Sequence, residues 1–224
     1  KTYYQGHYRP ENAFIVLVGD IEPGHTSQKI EEYFGDWAAT GQALQDQNAG
    51  ITPPRTSDVG YFSDPEVQTQ ITMATIRPFK DTQDTAENRK ANLIKSMGNR
   101  ILNRRLASLA RKSDAVFIGA GASESYSLDT AEIMTLTMSS QPENWKQALA
   151  VGEQELRKAL KFGFTQAELD EQIANSRKSM QIAVQTAETR RTSTLARGIV
   201  GSFGGDSVFT HPSGGLERFE AFAP

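Results

Sequence analysis

Five consecutive apolar residues, Phe14-Ile15-Val16-Leu17-Val18, follow a polar Pro10-Glu11-Asn12 turn and stop at Gly19-Asp20. A short β-rich run bounded by turn residues reads as a strand buried on both faces. Such a strand needs a sheet on at least one side of it. Only 13 residues precede it, and these read as the aromatic-rich end of a helix. The chain is therefore expected to begin inside a domain. Left alone, the strand would bare unpaired backbone groups and apolar surface. Phe14–Val18 is accordingly expected to dock on another sheet, in this molecule or by swapping into a second copy as a homodimer.

The 224 residues suffice for one large domain, or one domain with part of another. Hydrophobic residues make up 38% and charged residues 23%, so a packed core is expected rather than wholesale disorder. A net charge of −3 argues against a nucleic-acid partner, which usually meets a basic excess. No apolar run approaches the roughly 18 residues of a membrane-spanning helix. Cysteine is absent, which removes disulfides and thiolate metal sites from this chain and leaves the compartment open.

Along the chain, Glu22 to Thr26 reads as a turn. Thr26 or a neighbour would cap a short helix with Ile30, Tyr33, Phe34 and Trp37 on one face. Residues 38–57, rich in Gln, Thr, Ala, Asn and Pro, read as a linker. Val59–Phe62 reads as a short strand and Asp64-Pro65-Glu66 as a turn. Val67 to Arg77 alternates as a half-buried strand ended by Pro78. Thr85 to Lys112 reads as a long helix. Ala115–Tyr126 alternates with Val116, Ile118, Ala120, Ala122 and Tyr126 on one face. Ala131–Ser139 does so with Met134, Leu136 and Met138, and Asp129-Thr130 turns between the two. A helix from Trp145 ends at Gly163. Thr165 then caps a second helix, Glu168 reciprocates and Phe164 staples onto Leu169; that helix is expected to reach about Arg197. The order β-β-α-β-β-α-α implies an α+β fold, a two-layer antiparallel or mixed sheet with helices on one face.

Chemistry-bearing patterns are sparse. His7, His25 and His211 are far apart, and neither His-x-x-Glu-His nor His-Glu-x-x-His occurs, so no zinc centre is expected within the chain. Gly201-Ser202-Phe203-Gly204 lacks the spacing of a nucleophile elbow. Gly119-Ala120-Gly121-Ala122-Ser123 lacks the third glycine of a phosphate loop, and no helix opens after it. A strand with such small residues admits two readings. At a sheet edge it can take an extended peptide as an added strand, or its glycines can admit bulky neighbours from a facing helix. Arg100, Arg104, Arg105, Arg111 and Lys112 crowd one helix, either to meet phosphate or an acidic partner, or as a solvated face.

The block Tyr3-Tyr4-Gln5-Gly6-His7-Tyr8-Arg9-Pro10-Glu11-Asn12, the apolar run to Asp20 and Tyr33-Phe34-Gly35-Asp36-Trp37 resemble the segment closing the first domain of M16 (pitrilysin/insulinase) zinc metallopeptidases. Asp64-Pro65-Glu66, Asn103-Arg104-Arg105-Leu106, Phe117-Ile118-Gly119-Ala120-Gly121-Ala122-Ser123 and Gly163 to Leu169 resemble the next, inactive domain of the N-terminal half. The flavour is closest to bacterial, periplasmic-type members. The resemblance implies the LuxS/MPP-like metallopeptidase fold and four segments. These are 1–40 as the remnant of a preceding catalytic domain, 41–57 as linker, 58–200 as the inactive-type domain and 201–224 as a loosely held Gly-rich tail.

It further implies a peptidase whose paired halves enclose a peptide. The preceding catalytic domain, the C-terminal half and the peptide would then be this chain's partners. Zinc would belong to the parent protein, held by a motif before Lys1, so no residue here inherits a metal or catalytic role. The family reading leaves a substrate-enclosing, non-catalytic domain, with Phe117, Ile118, Gly119, Ala120, Gly121, Ala122 and Ser123 as a peptide-anchoring strand. A non-catalytic interaction subunit of the same family is the alternative, and a nucleic-acid-binding domain the remote one.

Overall fold

A computed structural model describes residues 2–45, 48–53, 56–203 and 208–223. Parts of the expected linker (Asp46, Gln47, Pro54, Arg55) and tail (Gly204 to Ser207) lie outside the described residues. The chain forms two compact units, Lys1–Asn48 with Met180–Glu217, and Ala49–Ser179 with Arg218–Pro224.

The second unit is the α+β layer. Its strands are β1 (Gln70–Pro78), β2 (Gly119–Ser127) and β3 (Ala131–Ser139), ordered β1-β3-β2 and antiparallel throughout. In register, Met73 and Ala122 both face Leu136, from opposite sides of β3. Helix α3 (Ala86–Ala110) and helix α4 (Trp145–Phe162) pack on one face of this sheet. Leu102 and Leu106 of α3, Phe117, Leu136 and Met138 of the sheet region, and Ala148 of α4 form the buried cluster between the layers. Gly152 lets α4 lie against Met138, which is fully buried.

The local signals explain the helix ends. Thr85 Oγ1 accepts from Asn88 N at 3.2 Å and starts α3. Gly163, with φ 69°, closes α4, its N–H donating to Ala159 O at 2.9 Å. Helix α5 (Gln166–Gln185) opens with the expected capping box. Thr165 N donates to Glu168 Oε2 at 2.8 Å, and Glu168 N to Thr165 Oγ1 at 3.3 Å.

Several expectations give way. Val59–Phe62 is not a strand; Val59 and Tyr61 are 93% and 91% exposed. Four residues containing Gly60 form too few ladder bonds to offset the loss of chain entropy. The hairpin bends at Leu128 and Asp129, both at positive φ, one residue earlier than expected. Helix α5 stops at Gln185 rather than near Arg197, and Thr186 N and Oγ1 both donate to Ile182 O, at 2.9 and 2.8 Å. After a 3-10 turn, helix α6 (Thr192–Phe203) follows, and helix α7 (Pro212–Phe222) stands where a loose tail was expected. Phe219 of α7 is 3% exposed, with Arg177 5.9 Å above its ring.

The first unit holds helix α1 (Thr2–His7) and helix α2 (Pro23–Phe34). Helix α2 begins where a turn was expected, because the Glu22 carboxylate caps it by accepting from Gly24 N and His25 N. Leu44 of the expected linker covers Gly6 and donates N–H to its carbonyl at 3.2 Å. Phe14–Val18 is not a strand: it makes no ladder among the described residues, and Phe14, Ile15 and Leu17 are about half exposed. Apolar β-propensity without an edge to pair with does not make a strand. Phe14 instead lies 4.4 Å from Phe203, ring to ring. Tyr33, Phe34 and Trp37 are likewise exposed among the described residues.

Candidate functional site: a strand edge

Strand β2 is an edge of the sheet. Ile118 N donates to Ser139 O at 2.7 Å, while Gly119 occupies the register position opposite Ser139. Two residues therefore oppose one, the count of a β-bulge. The extra residue inverts the alternation at the strand's start. Phe117 is buried at 4% exposure, whereas Ile118, expected on one face with Ala120 and Ala122, is 56% exposed. Beyond the bulge, Ala120 and Ala122 face the core cluster. Tyr126, expected on that same face, is 59% exposed.

Gly119, Gly121 and Ser123 alternate onto the other face, beside Thr135, Thr137 and Ser139 of β3. Hydroxyl pairs line this face, with Ser123 to Thr135 at 2.8 Å and Thr72 to Thr137 at 3.4 Å. A Cβ at Gly119 would meet nothing within 4 Å, and one at Gly121 would meet only Asn103 Oδ1, at 3.5 Å. Bulky helix neighbours therefore do not account for these glycines. The residues expected to anchor a peptide form one accessible run, save Phe117, which belongs to the core.

One edge contact went unread in the sequence. The Asn103 side chain on α3 donates Nδ2–H to Ala122 O at 2.9 Å and accepts from Ala122 N at 2.6 Å. The two partners are 19 residues apart, and nothing local in the sequence signals the pairing.

Arg100, Arg104 and Arg105 of α3 face α5. Arg105 grips Glu168 with Nε and Nη2 at 2.6 and 2.7 Å, and its guanidinium lies 4.9 Å from the Phe164 ring centroid. Arg105 Nη1 is buried without a hydrogen bond, its nearest carboxylate being Glu155 at 3.7 Å. Arg104 pairs with Glu171, and Arg100 donates to Ser176 Oγ at 3.0 Å. Arg105 holds the Glu168 carboxyl at about 2, against the opposing effect of burial and with help from the Thr165 N–H and hydroxyl. Arg104 and Arg105, considered for phosphate, spend their charge on carboxylates of the same unit.

At the far end of β2, Lys95 bridges Glu124 and Glu132, and Tyr126 OH donates to Glu124 at 3.1 Å. Burial opposes the Lys95 ammonium, but the two carboxylates outweigh it and raise its pKa. The hydrogen bond from the Lys95 ammonium lowers that of Glu132. A cavity of about 410 Å³ lies between the sheet and α3 and α4, lined by Met73, Leu102, Leu136, Leu156 and Phe164 among others. Its charged lining residues are Arg77 and Lys95, which offer no acid–base pair. It suits apolar groups and carries no reaction chemistry.

The histidines stay apart. His7 ends α1 with its ring 4.6 Å from Tyr3, His25 sits in the first turn of α2, and His211 Nδ1 accepts from Ser213 N at 3.2 Å at the start of α7. Among the described residues no three His, Asp or Glu side chains gather as a metal ion requires. They do not fit a zinc site. No helix of the described residues is long and apolar enough to cross a membrane.

The profile of the Peptidase M16 inactive domain matches residues 1–176. The chain belongs to the M16 family. The match spans both the Tyr8 to Asp20 block and the sheet unit up to α5. No curated protein matches the sequence. Among solved structures, a "predicted insulinase family protease" from Yersinia pestis is 16% identical with a TM-score of 0.81, over 99% of this chain and 48% of that one. The first half of the periplasmic protease PqqL from Escherichia coli is 17% identical with a TM-score of 0.74, over 98% of this chain and 47% of that one. The ferredoxin protease FusC, solved as a mutant with Arabidopsis ferredoxin, is 16% identical with a TM-score of 0.70, over 98% of this chain and 25% of that one. At such identities the likeness shows the insulinase-like fold. This chain spans 48% of the Yersinia chain, 25% of FusC and 24% of PqqL when that protease is solved whole.

Proposed function

We propose that this M16 inactive-type domain is a substrate-enclosing wall of a longer zinc peptidase, and that β2 anchors an extended segment of the substrate by strand addition. The observation carrying this reading is the edge itself. Among the described residues no strand pairs with the outer side of β2, and its glycines leave room beside Gly119 and Gly121. Backbone pairing supplies affinity without demanding a particular sequence, which suits a peptidase acting on varied chains. Hydrolysis, and the zinc that would polarise the scissile carbonyl, belong in this reading to residues outside this chain. The relatives' descriptions as proteases, with PqqL described as periplasmic, support the same reading and a periplasmic home.

The exposed apolar residues Phe14, Ile15, Leu17, Tyr33 and Phe34 would face the remainder of that longer protein, where Phe14–Val18 would find its strand partner.

The test uses a nine-residue peptide of alternating Thr and Val, labelled for fluorescence anisotropy. The 224-residue chain should bind it without cleaving it. Ala120→Pro should weaken binding at least about tenfold while keeping the circular dichroism spectrum, because proline removes the outward N–H at an edge that tolerates it. Peptide turnover by this chain with added zinc, or unaltered binding by A120P, would end the proposal.

A further inference from the structure

Ala122 is the point at which the outer edge of β2 is already occupied. Its N–H and C=O both bond to Asn103, a residue of α3, so they point away from β3, and Ala122 faces Leu136 as a non-hydrogen-bonded pair. By the two-residue period, the backbone groups of Ala120 and Glu124 point outward as well. Neither receives a side-chain amide among the described residues. The Asn103 carboxamide, one donor and one acceptor on a planar frame, reproduces what a single residue of an added strand would present. Its bonds of 2.6 and 2.9 Å satisfy both edge groups of one residue at the middle of the free edge.

We infer that Asn103 is a displaceable plug that competes with a peptide for β2 and so sets how tightly an added strand is held. The inference rests on the strand-addition reading above. A peptide crossing Ala122 must take over both hydrogen bonds and send the carboxamide to water. A peptide that stops short of Ala122 keeps too few ladder bonds to hold. Each net hydrogen bond contributes about 0.5–1 kcal/mol, so a two-bond plug would lower peptide affinity by about five- to thirtyfold relative to an open edge. The plug also hides the edge from other copies of the chain when no peptide is present. A Cβ at Gly121 would stand in ordinary contact with Asn103 Oδ1, at 3.5 Å.

Two variants separate the possibilities in the 224-residue chain. Asn103→Ala removes the plug. Asn103→Asp keeps its size but turns a carboxylate oxygen towards the Ala122 carbonyl. Amide hydrogen exchange resolved by NMR should show Ala122 N–H protected in the parent chain and at least about tenfold faster in N103A. The Thr/Val nonapeptide should bind N103A about tenfold more tightly and N103D more tightly than the parent. The same peptide N-methylated at alternate residues should bind none of them. Equal or weaker binding by both variants, with the parent still binding, overturns the plug and leaves strand addition standing. Equally fast Ala122 exchange in parent and N103A also overturns it. If neither the parent nor the variants bind the peptide, strand addition fails and the plug's competitive role with it.

Discussion

The Arg105–Glu168 contact makes the sharpest quantitative prediction. Glu168 accepts two hydrogen bonds from Arg105, at 2.6 and 2.7 Å, and two from Thr165, at 2.8 and 2.9 Å. Its carboxyl is held at about 2 against an ordinary 4.5. A depressed carboxyl stabilises the fold fully above its unfolded value and loses that contribution as pH falls through its folded value. The whole displacement corresponds to about 3 kcal/mol. The Glu168 and Arg105 side chains are 25% and 19% exposed, so solvent screening reduces this to about 1–2 kcal/mol. Glu168→Gln keeps the shape and an acceptor for Thr165 but removes the charge. Urea unfolding followed by Trp145 fluorescence, in a Trp37→Phe background, should place E168Q about 1–2 kcal/mol below the parent at pH 7. The gap should hold down to about pH 5, narrow below 4.5 and close near 2. Because other carboxylates titrate in both proteins, the difference isolates Glu168. A gap that stays constant from pH 7 to 2, or no gap at pH 7, would refute the reasoning.

Three further predictions are all read by thermal or urea unfolding. Gly152→Ala places a methyl inside the contact shell of Met138 Sδ, and because Met138 is fully buried the overlap should cost about 1–3 kcal/mol. A Met138→Ala partner should recover part of that loss in a double-mutant cycle. Gly163→Ala forces a side chain onto φ 69°, ψ −147°, a region nearly confined to glycine, and should cost about 1–3 kcal/mol. Leu106→Ala, at 0% exposure in the core cluster, should cost about 2–5 kcal/mol.

What could be read from the sequence was what lies close along it. Thr165 and Glu168 are three residues apart, and their capping box appears as expected. The apolar stripe of α3 and the alternation of β3 are similarly local, and they carried the fold class. Phe117 and Ile118 exchanged faces because a bulge is a relation between two strands, invisible in either alone. Phe14–Val18 carried every local mark of a buried strand, yet strand formation needs an edge that the described residues of this chain do not supply to it. The arginines of α3 looked like a free cationic row, because their partners Glu168 and Glu171 lie more than 60 residues on. The candidate strand itself was legible as a run of small residues; the side chain that occupies its edge was not.

Those distant pairings give the Asn103-Arg104-Arg105-Leu106 run a common physical meaning. Four successive helical residues point to four different neighbours. Asn103 meets the edge of β2, Arg104 meets Glu171, Arg105 meets Glu168 and the Phe164 ring, and Leu106 enters the core at 0% exposure. Rolling α3 to free Asn103 would break both arginine contacts and pull Leu106 out of the cluster, at a combined cost of several kcal/mol. Rotating the Asn103 side chain alone costs two hydrogen bonds. The plug therefore opens by a side-chain rotation while the helix stays put. The edge of β2 can then be uncovered without moving the sheet that positions it, and a strand added there meets a fixed register set by β3 and the bulge at Ile118.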